Sequence, residues 1–247
     1  MIQTEILLIV TVVGLYLYDS MRLLYYNEGI LTPKGKDEWS VCFGTRTYRL
    51  LGKEIFFPNP FFPHRPLFRL SWEPEGCAAE EAEHWTANKN IFGPLVPMVW
   101  QMALALFILL PLGFFTRLGD HILLTAILLL YVNIIGALLW LWFNRATFNL
   151  SRKKFAALAF ESLVCSPFAL NIIRTLSLNM HTKEDLLNAS RRLQNQKDWS
   201  VTRTSIIARL DELIDGEESG SERMTKFQDH RQKLMEQNIV CQVLKSS

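Results

Sequence analysis

Two groups of side chains in this sequence have the residue types that catalysis or metal binding requires. Glu161, Cys165 and His181 are candidates for a nucleophile with a base, because a cysteine needs a nearby base to attack a substrate. Glu161 and Cys165 are four residues apart and share a helix face only if Ser166 and Pro167 do not unwind that helix first. Nothing in the sequence places His181 beside them, so we predict no catalytic site.

The second group is an acidic cluster, Glu80, Glu81 and Glu83, followed by His84. In a helix, Glu80 and Glu81 would share a face with His84, and two carboxylates with an imidazole can bind a divalent metal. A solvated acidic helix is the commoner origin of such a cluster, and the HExxH motif is absent. The four cysteines form no CxxC pair and no zinc-like spacing. We therefore predict no metal and no cofactor.

The elements that must position these side chains are membrane helices. Residues 94–115 and 122–143 carry no charge, and each window is long enough to cross a hydrocarbon core of roughly 30 Å as a helix. We predict an antiparallel transmembrane hairpin over residues 94–143, with Pro111 as a possible kink. A third apolar stretch, residues 4–24, lacks a basic start and a cleavage site, and tyrosines follow it. It predicts an uncleaved transmembrane anchor within residues 1–26.

The distribution of lysine and arginine near the spans predicts their orientation. One side carries eight such residues and the other side only Arg117. This asymmetry predicts an outside N-terminus and a cytoplasmic C-terminus, and the compact chain suggests a bacterial inner membrane. The eight residues are Arg22, Lys34, Lys36, Lys89, Arg145, Arg152, Lys153 and Lys154.

Polar side chains inside or beside the spans are the next candidates. Gln101 and Asn133 lie centrally in the two predicted spans, and we expect each amide to hydrogen-bond across helices, although a substrate or ion site is the alternative. A basic cluster follows the third span. It is expected from the topology rule and also predicts contact with anionic lipid headgroups. The cluster is Arg145, Arg152, Lys153 and Lys154.

Residues 27–93 are predicted to form a cytoplasmic β-containing segment. Residues 39–44 and 47–51 have the composition of strands, and Thr45 and Arg46 between them suggest a hairpin without the usual turn signal. A third strand is predicted over residues 67–72, where apolar and polar residues alternate. Four prolines within residues 56–66 exclude a helix there. We expect an extended loop that packs on the membrane interface, on a partner or on the β-segment itself.

The tail divides into a membrane-proximal basic and amphipathic segment, residues 144–180, and a cytoplasmic helical tail, residues 181–247. In the first segment we predict a break at Ser166 and Pro167, followed by a helix on the inner leaflet. Burial against the tail and a fourth span are the alternatives. Its apolar stripe is Phe168, Ala169, Ile172, Ile173 and Leu176, and Asn171, Arg174, Thr175 and Ser177 face away from that stripe.

The helical tail is predicted to begin with a capping box at Thr182 and Asp185. A further helix over residues 203–214 has one apolar face, which we predict to bind a partner. That face consists of Ile206, Ile207, Leu210, Leu213 and Ile214.

These observations predict a mostly α integral membrane protein with three transmembrane helices, a β-containing insertion and a helical tail. Such an arrangement suits a non-enzymatic subunit or adaptor of a membrane complex, with a protein partner or a homo-oligomer formed through the tail. An oligomeric channel or transporter component and a membrane-embedded enzyme are the alternatives. The net charge of +2 and the interspersed acidic residues make nucleic-acid binding unlikely on electrostatic grounds.

Overall fold

A computed structural model describes residues 2–35, 38–75, 85–116, 119–180, 182, 184–218 and 220–246. The chain forms two compact units, each assembled from three segments. The first unit comprises Met1–Arg22, Phe56–Phe68 and His84–His181, and the second comprises Leu23–Ile55, Arg69–Glu83 and Thr182–Ser247. The fold is mostly helical with a β-containing region, as predicted.

The first unit is helical. A continuous helix, Leu95–Phe115, and a second one, Gly119–Phe143, are the two helices of the described chain that are long and apolar enough to cross a membrane. The N-terminal helix, the predicted third span, has 19 residues and is not one of these two. It ends at Ser20, and the predicted anchor's last residues, Arg22–Leu24, form a strand instead. The helices of this unit are α1 Ile2–Ser20, α2 Trp85–Asn90, α3 Leu95–Leu104, α4 Leu110–Phe115, α5 Gly119–Phe143, α6 Arg152–Val164, α7 Ser166–Ala169 and α8 Ile172–Leu178.

A wide π-helical turn, Ala105–Leu109, joins α3 to α4. The Leu110 amide donates to the Ala105 carbonyl, five residues earlier. Pro111 follows directly, and a proline has no amide hydrogen and its ring crowds the carbonyl four residues before it, here that of Phe107. The wide turn relieves this conflict and presents Phe107 edge-on to Tyr16, with ring centroids 5.4 Å apart.

The break predicted at Ser166 and Pro167 lies between α6 and α7. Cys165 leaves the helical region, with φ −123° and ψ 82°, and Pro167 occupies the first turn of α7. Asn171, Arg174 and Ser177, which were predicted to face away from the apolar stripe, are all buried. Of the stripe itself, Ala169, Ile172, Ile173 and Leu176 are buried and Phe168 is half-buried.

The strands form two small sheets, with the orders β1-β5-β4 and β3-β2-β6. The predicted third strand is present as β6, but the predicted hairpin is wrong, because its two strands lie in different sheets. Instead, β3 pairs with β2 and β4 pairs with β5, both antiparallel. The strands are β1 Arg22–Leu24, β2 Glu28–Pro33, β3 Trp39–Cys42, β4 Thr45–Leu50, β5 Lys53–Phe56 and β6 Phe68–Ser71.

Three helices complete the second unit: α9 Leu186–Leu193, α10 Gln196–Gly216 and α11 Glu222–Ser246. The cap of α9 is Asp185, whose carboxylate accepts from the Leu187 amide at 2.8 Å, and not the predicted Thr182. A buried ion pair connects α10 to β5, because Arg209 Nη2 donates to Glu54 Oε2 at 2.6 Å.

Candidate functional site

The most unusual side chain of the first unit is Arg174, a fully buried arginine in α8. One terminal nitrogen, Nη1, donates to three side-chain oxygens: Tyr16 Oη at 3.4 Å, Ser20 Oγ at 3.2 Å and Asn171 Oδ1 at 3.0 Å. Tyr16 and Ser20 are one turn apart on α1, so a single guanidinium nitrogen ties α8 to that helix. Arg174 Nε is buried and has no hydrogen-bond partner among the described residues.

The other terminal nitrogen of Arg174 binds the proline-rich loop. Nη2 donates to the backbone carbonyls of Asn59 at 2.6 Å and Phe62 at 3.1 Å. Four prolines keep this loop out of regular structure, so its carbonyls lack the regular backbone donors of a helix or a sheet. The planar guanidinium, with five donors in a fixed fork, can serve two loop carbonyls and a helix simultaneously.

A carboxylate lies one residue beyond the guanidinium. Asn171 Oδ1 accepts from Arg174, and Asn171 Nδ2 donates to Asp19 Oδ2 at 2.9 Å. Burial lowers the pKa of Arg174, while its hydrogen bond to Tyr16 and the negative charge of Asp19 act in the opposite direction. The positive charge of Arg174 is therefore compensated by Asp19 through an intervening amide.

Two further hydrogen bonds hold the proline-rich loop. The Tyr16 hydroxyl donates to the Pro60 carbonyl at 2.6 Å, and the Ser177 hydroxyl accepts from the Leu67 amide at 2.8 Å. The loop is thus fixed at both ends to α1 and α8. We call Arg174, Tyr16, Ser20, Asn171 and Asp19 the Arg174 cluster.

An apolar cavity of about 740 Å³ adjoins this cluster within the first unit. Tyr16 belongs to both, since its hydroxyl binds the loop and its ring lines the cavity. The other walls come from α1, from the loop and from α3 with the π turn. They are Val13, Leu17, Pro60, Phe61, Pro63, Trp100, Ala103, Leu104, Phe107 and Ile108.

His64 lies beside one cavity wall and stacks on Trp100, with ring centroids 5.0 Å apart. Its Nδ1 is buried without a hydrogen-bond partner among the described residues. Burial lowers the pKa of His64, and the positive charges of Arg65 and Arg174 lower it further. A neutral imidazole therefore stands at this wall near neutral pH.

Among the described residues, neither Gln101 nor Asn133 has a hydrogen bond to another helix. Gln101 lies exposed on the surface of α3. Asn133 is buried, and its Nδ2 donates to the Leu129 carbonyl of its own helix at 2.7 Å. An interhelical contact of either amide stays a prediction.

The predicted lipid-binding basic cluster lies at the end of α5 and the start of α6. The Arg145 guanidinium lies 4.6 Å from the centre of the Trp142 ring. Arg152, Lys153 and Lys154 are exposed in the first turn of α6. Their positions are compatible with headgroup contact, which stays a prediction.

The predicted partner-binding face of α10 is partly wrong. Ile206 and Leu210 are fully buried in the second unit, so they form its core. Ile207, Leu213 and Ile214 are half-buried. Periodicity located the apolar face correctly but could not show that the chain covers it itself.

Of the residues first considered for chemistry, the structure describes only Glu161 and Cys165. Glu161 is exposed, and burial raises the pKa of the Cys165 thiol, which makes it a weaker nucleophile. His181 and the cluster of Glu80, Glu81, Glu83 and His84 lie outside the described residues. Sequence reasoning missed the Arg174 cluster. The signal that could have found it is the set of four prolines in residues 56–66, which leave that loop few backbone donors and favour a side-chain donor such as arginine.

Comparisons with protein-family models, with curated proteins and with solved structures found no match for this chain.

Proposed function

We propose that this protein is a three-span membrane protein that acts as a non-enzymatic subunit or adaptor of a membrane-associated complex. In this proposal α1, the helix Leu95–Phe115 and α5 cross the membrane, and the second unit lies in the cytoplasm of a bacterial cell. The observation that carries the adaptor role is an exposed apolar hairpin on the second unit, described below.

The proposal that α1 is a span is supported by its exposed apolar surface. Ile6, Leu7, Leu8 and Val10 are large apolar side chains on the first turns of α1, and all four are exposed. A helix of 19 residues extends about 29 Å, which suits the hydrocarbon thickness of a bilayer. A surrounding bilayer would remove these side chains from water.

The orientation is testable with a C-terminal reporter in spheroplasts, whose inner membrane is sealed and whose outer membrane no longer excludes a protease. We expect a C-terminal tag to resist protease added outside the cells, because the basic residues flank the cytoplasmic ends of the spans. A matched tag at the N-terminus should be cleaved. Cleavage of the C-terminal tag in sealed cells would contradict the topology.

The hairpin formed by β4 and β5 carries the proposed partner surface. Tyr48, Leu50 and Leu51 are exposed at 68%, 53% and 90% of their surface. Leu51 and Gly52 form the two-residue turn, both with positive φ, at 52° and 74°. A leucine in this conformation is uncommon, since asparagine or glycine is preferred there. An apolar side chain kept at an unfavourable, solvent-exposed turn supports a role in binding.

The backbone of β4 is poorly suited to binding by strand addition. Between Thr45 and Arg49 the register with β5 shifts, so Arg46 to Tyr48 have no opposite residues. Such a bulge is one way in which proteins prevent pairing at a sheet edge. Arg46 and Arg49 are also engaged with Glu212, at 3.0 and 2.7 Å. We therefore infer that a protein partner receives the apolar side chains of Tyr48, Leu50 and Leu51 in a pocket.

The substitution Leu51→Asn tests this surface without harming the turn. Asparagine tolerates positive φ, so the variant should fold at least as well as the wild type. We expect the wild-type protein, extracted in mild detergent, to co-purify with a second protein in fixed stoichiometry. The variant should lose that partner, and Tyr48→Ser should weaken it.

The matched control is Val201→Gln, which changes an exposed apolar residue of α10 in the same unit. This variant should keep the partner. A partner retained equally by all variants would contradict the proposed surface. A homogeneous homo-oligomer would favour a channel or transporter component, and a lone monomer would refute an obligate subunit.

A further inference from the structure

We propose that the apolar cavity of the first unit binds one acyl chain of a phospholipid from the cytoplasmic leaflet. This inference rests on the proposed membrane location, but not on the adaptor role, because it concerns a different unit and a different surface. The chemistry of the walls, the position of the opening and the way in which the loop is fixed each support it.

The walls of the cavity select an apolar occupant. Every lining residue is apolar except Tyr16. The Tyr16 hydroxyl already donates to the Pro60 carbonyl at 2.6 Å, which leaves the indole N–H of the partly exposed Trp100 as the other polar donor of the wall. A volume of about 740 Å³ falls within the range of small-molecule sites. An extended hydrocarbon chain satisfies such walls without leaving a polar group unpaired.

The opening of the cavity lies among side chains that a bilayer would cover. Trp100, Leu104 and Ile108 line the cavity and are also exposed on the surface of the helix Leu95–Phe115. Ala103 and Tyr16 are buried deeper. A chain that enters from the hydrocarbon core therefore never crosses water, which a soluble metabolite or a protein segment would have to do.

The depth of the cavity in the proposed topology indicates the leaflet. On α1 the lining residues are Val13, Tyr16 and Leu17, which belong to the half that ends in the cytoplasm. On the antiparallel helix Leu95–Phe115 they run from Trp100 to Ile108, across its midpoint at Ala105. The α1 wall therefore lies at the level of the cytoplasmic leaflet, and the opposite wall extends from that leaflet to the bilayer centre.

The cavity is built before any ligand arrives. Arg174 fixes the loop through the carbonyls of Asn59 and Phe62, and the loop supplies Pro60, Phe61 and Pro63 to the wall. The π turn sets Phe107 edge-on against Tyr16. The hydrogen bonds of Arg174 thus fix the loop wall, and the contact of Phe107 with Tyr16 fixes the helical walls. A preformed site loses less conformational freedom on binding than one that must be assembled.

The test uses the full-length protein in mild detergent with parinaric acid, a fluorescent polyene fatty acid, as the probe. We expect saturable binding of one probe per chain, and mass spectrometry of the untreated protein should find a co-purifying phospholipid. Val13→Phe and Ala103→Phe fill the cavity from opposite walls. Each should weaken probe binding about tenfold or more, since excluding two methylene groups from a buried site has this effect.

The matched control is Leu128→Phe, which introduces the same side chain on the exposed surface of α5, away from the cavity. It should bind the probe as the wild type does. If Ala103→Phe fails to elute as a folded species, Val13→Phe decides the outcome. Equal uptake by all variants, or no saturable binding, would overturn the proposal. A co-purifying free fatty acid in place of a phospholipid would overturn the assigned source.

Discussion

Replacement of Arg174 by methionine tests whether the Arg174 cluster stabilises the first unit. Methionine keeps an apolar stem close to that of arginine but has no guanidinium, so every hydrogen bond of that group is lost. The carbonyls of Asn59 and Phe62 lose the donor that reaches them at 2.6 and 3.1 Å. Each carbonyl keeps one backbone donor, the Phe62 amide at 3.3 Å for Asn59 and the Arg65 amide at 3.2 Å for Phe62, so each loses a single hydrogen bond to a charged group. Such a bond contributes about 1.5 to 3 kcal/mol, so the two together contribute about 3 to 6 kcal/mol.

A second effect opposes this loss. All acceptors bonded to Arg174 in the described chain are neutral, and Asp19 is reached only through Asn171. Removing a buried charge with such partners recovers part of its desolvation cost. We expect the loss of the hydrogen bonds to these two carbonyls to outweigh the recovered desolvation cost. The free energy of unfolding should therefore fall by about 3 kcal/mol.

Thermal unfolding in detergent, followed by tryptophan fluorescence, measures this change. A loss of about 3 kcal/mol lowers Tm by about 6 to 12 °C in a protein of this size. Arg152→Met is the control, because Arg152 is exposed and its loss should change stability by less than about 0.5 kcal/mol. Equal Tm values for the two variants would refute the stabilising role of the cluster.

Arg174→Lys separates the charge from the geometry. Lysine keeps the positive charge, but its three donors sit on one nitrogen and cannot serve the loop and α1 together. We expect Tm to lie between those of the wild type and Arg174→Met. Full recovery by lysine would show that the charge, and not the fork of donors, holds the loop.

Three further perturbations test other parts of the fold. The lowered pKa of His64 means that the folded state binds fewer protons than the unfolded state, whose histidine pKa is about 6.5. Stability should therefore be complete above about pH 6.5 and fall as the pH drops further, and His64→Asn should flatten this dependence of Tm on pH. Asp185→Ala removes the cap of α9 and should lower the free energy of unfolding by about 1 kcal/mol in a chemical denaturation series. Glu54→Gln leaves the buried Arg209 without its carboxylate and should cost about 3 to 5 kcal/mol in the same assay, whereas Glu222→Gln, at an exposed pair, should change little.

Local patterns predicted the two long apolar helices well because their signal is composition over a long window. Residues 94–115 and 122–143 correspond to the helices Leu95–Phe115 and Gly119–Phe143. The break before Pro167 was also predictable, because the conformational restriction of proline acts within one turn. These features depend on neighbouring residues only, and a sequence contains all the information about them.

Strand pairing depended on partners that local patterns do not identify. Residues 39–51 suggested a hairpin, yet the two strands pair with β2 and β5, which were not predicted. Strand β2 contains Gly29 and ends at Pro33, both poor strand formers, so its sequence conceals it. The turn at Leu51 and Gly52 lacks the asparagine or aspartate that usually marks a two-residue hairpin.

The Arg174 cluster was missed for a related reason. Asn171, Arg174 and Ser177 recur at helical spacing, and such a polar stripe is normally exposed. Arg174 and Ser177 bond backbone groups of a loop more than a hundred residues earlier, for instance 112 residues between Arg174 and Phe62. Asn171 bonds Ser20 and Asp19 of α1, which are equally distant in the sequence. Helical periodicity shows which residues share a face, but it does not show what covers that face.

Tyr16 explains why the polar cluster and the apolar cavity occur side by side. Its ring lines the cavity and meets Phe107 edge-on, while its hydroxyl donates to Pro60 and lies 3.4 Å from Arg174 Nη1. Prolines have no amide hydrogen, so the loop has few backbone donors of its own and gains from polar partners, while the same prolines and phenylalanines need apolar ones. Tyrosine has both kinds of surface on one rigid side chain. The loop therefore packs on α1 at the one buried tyrosine described in that helix, and the cavity lies on the apolar side of this contact.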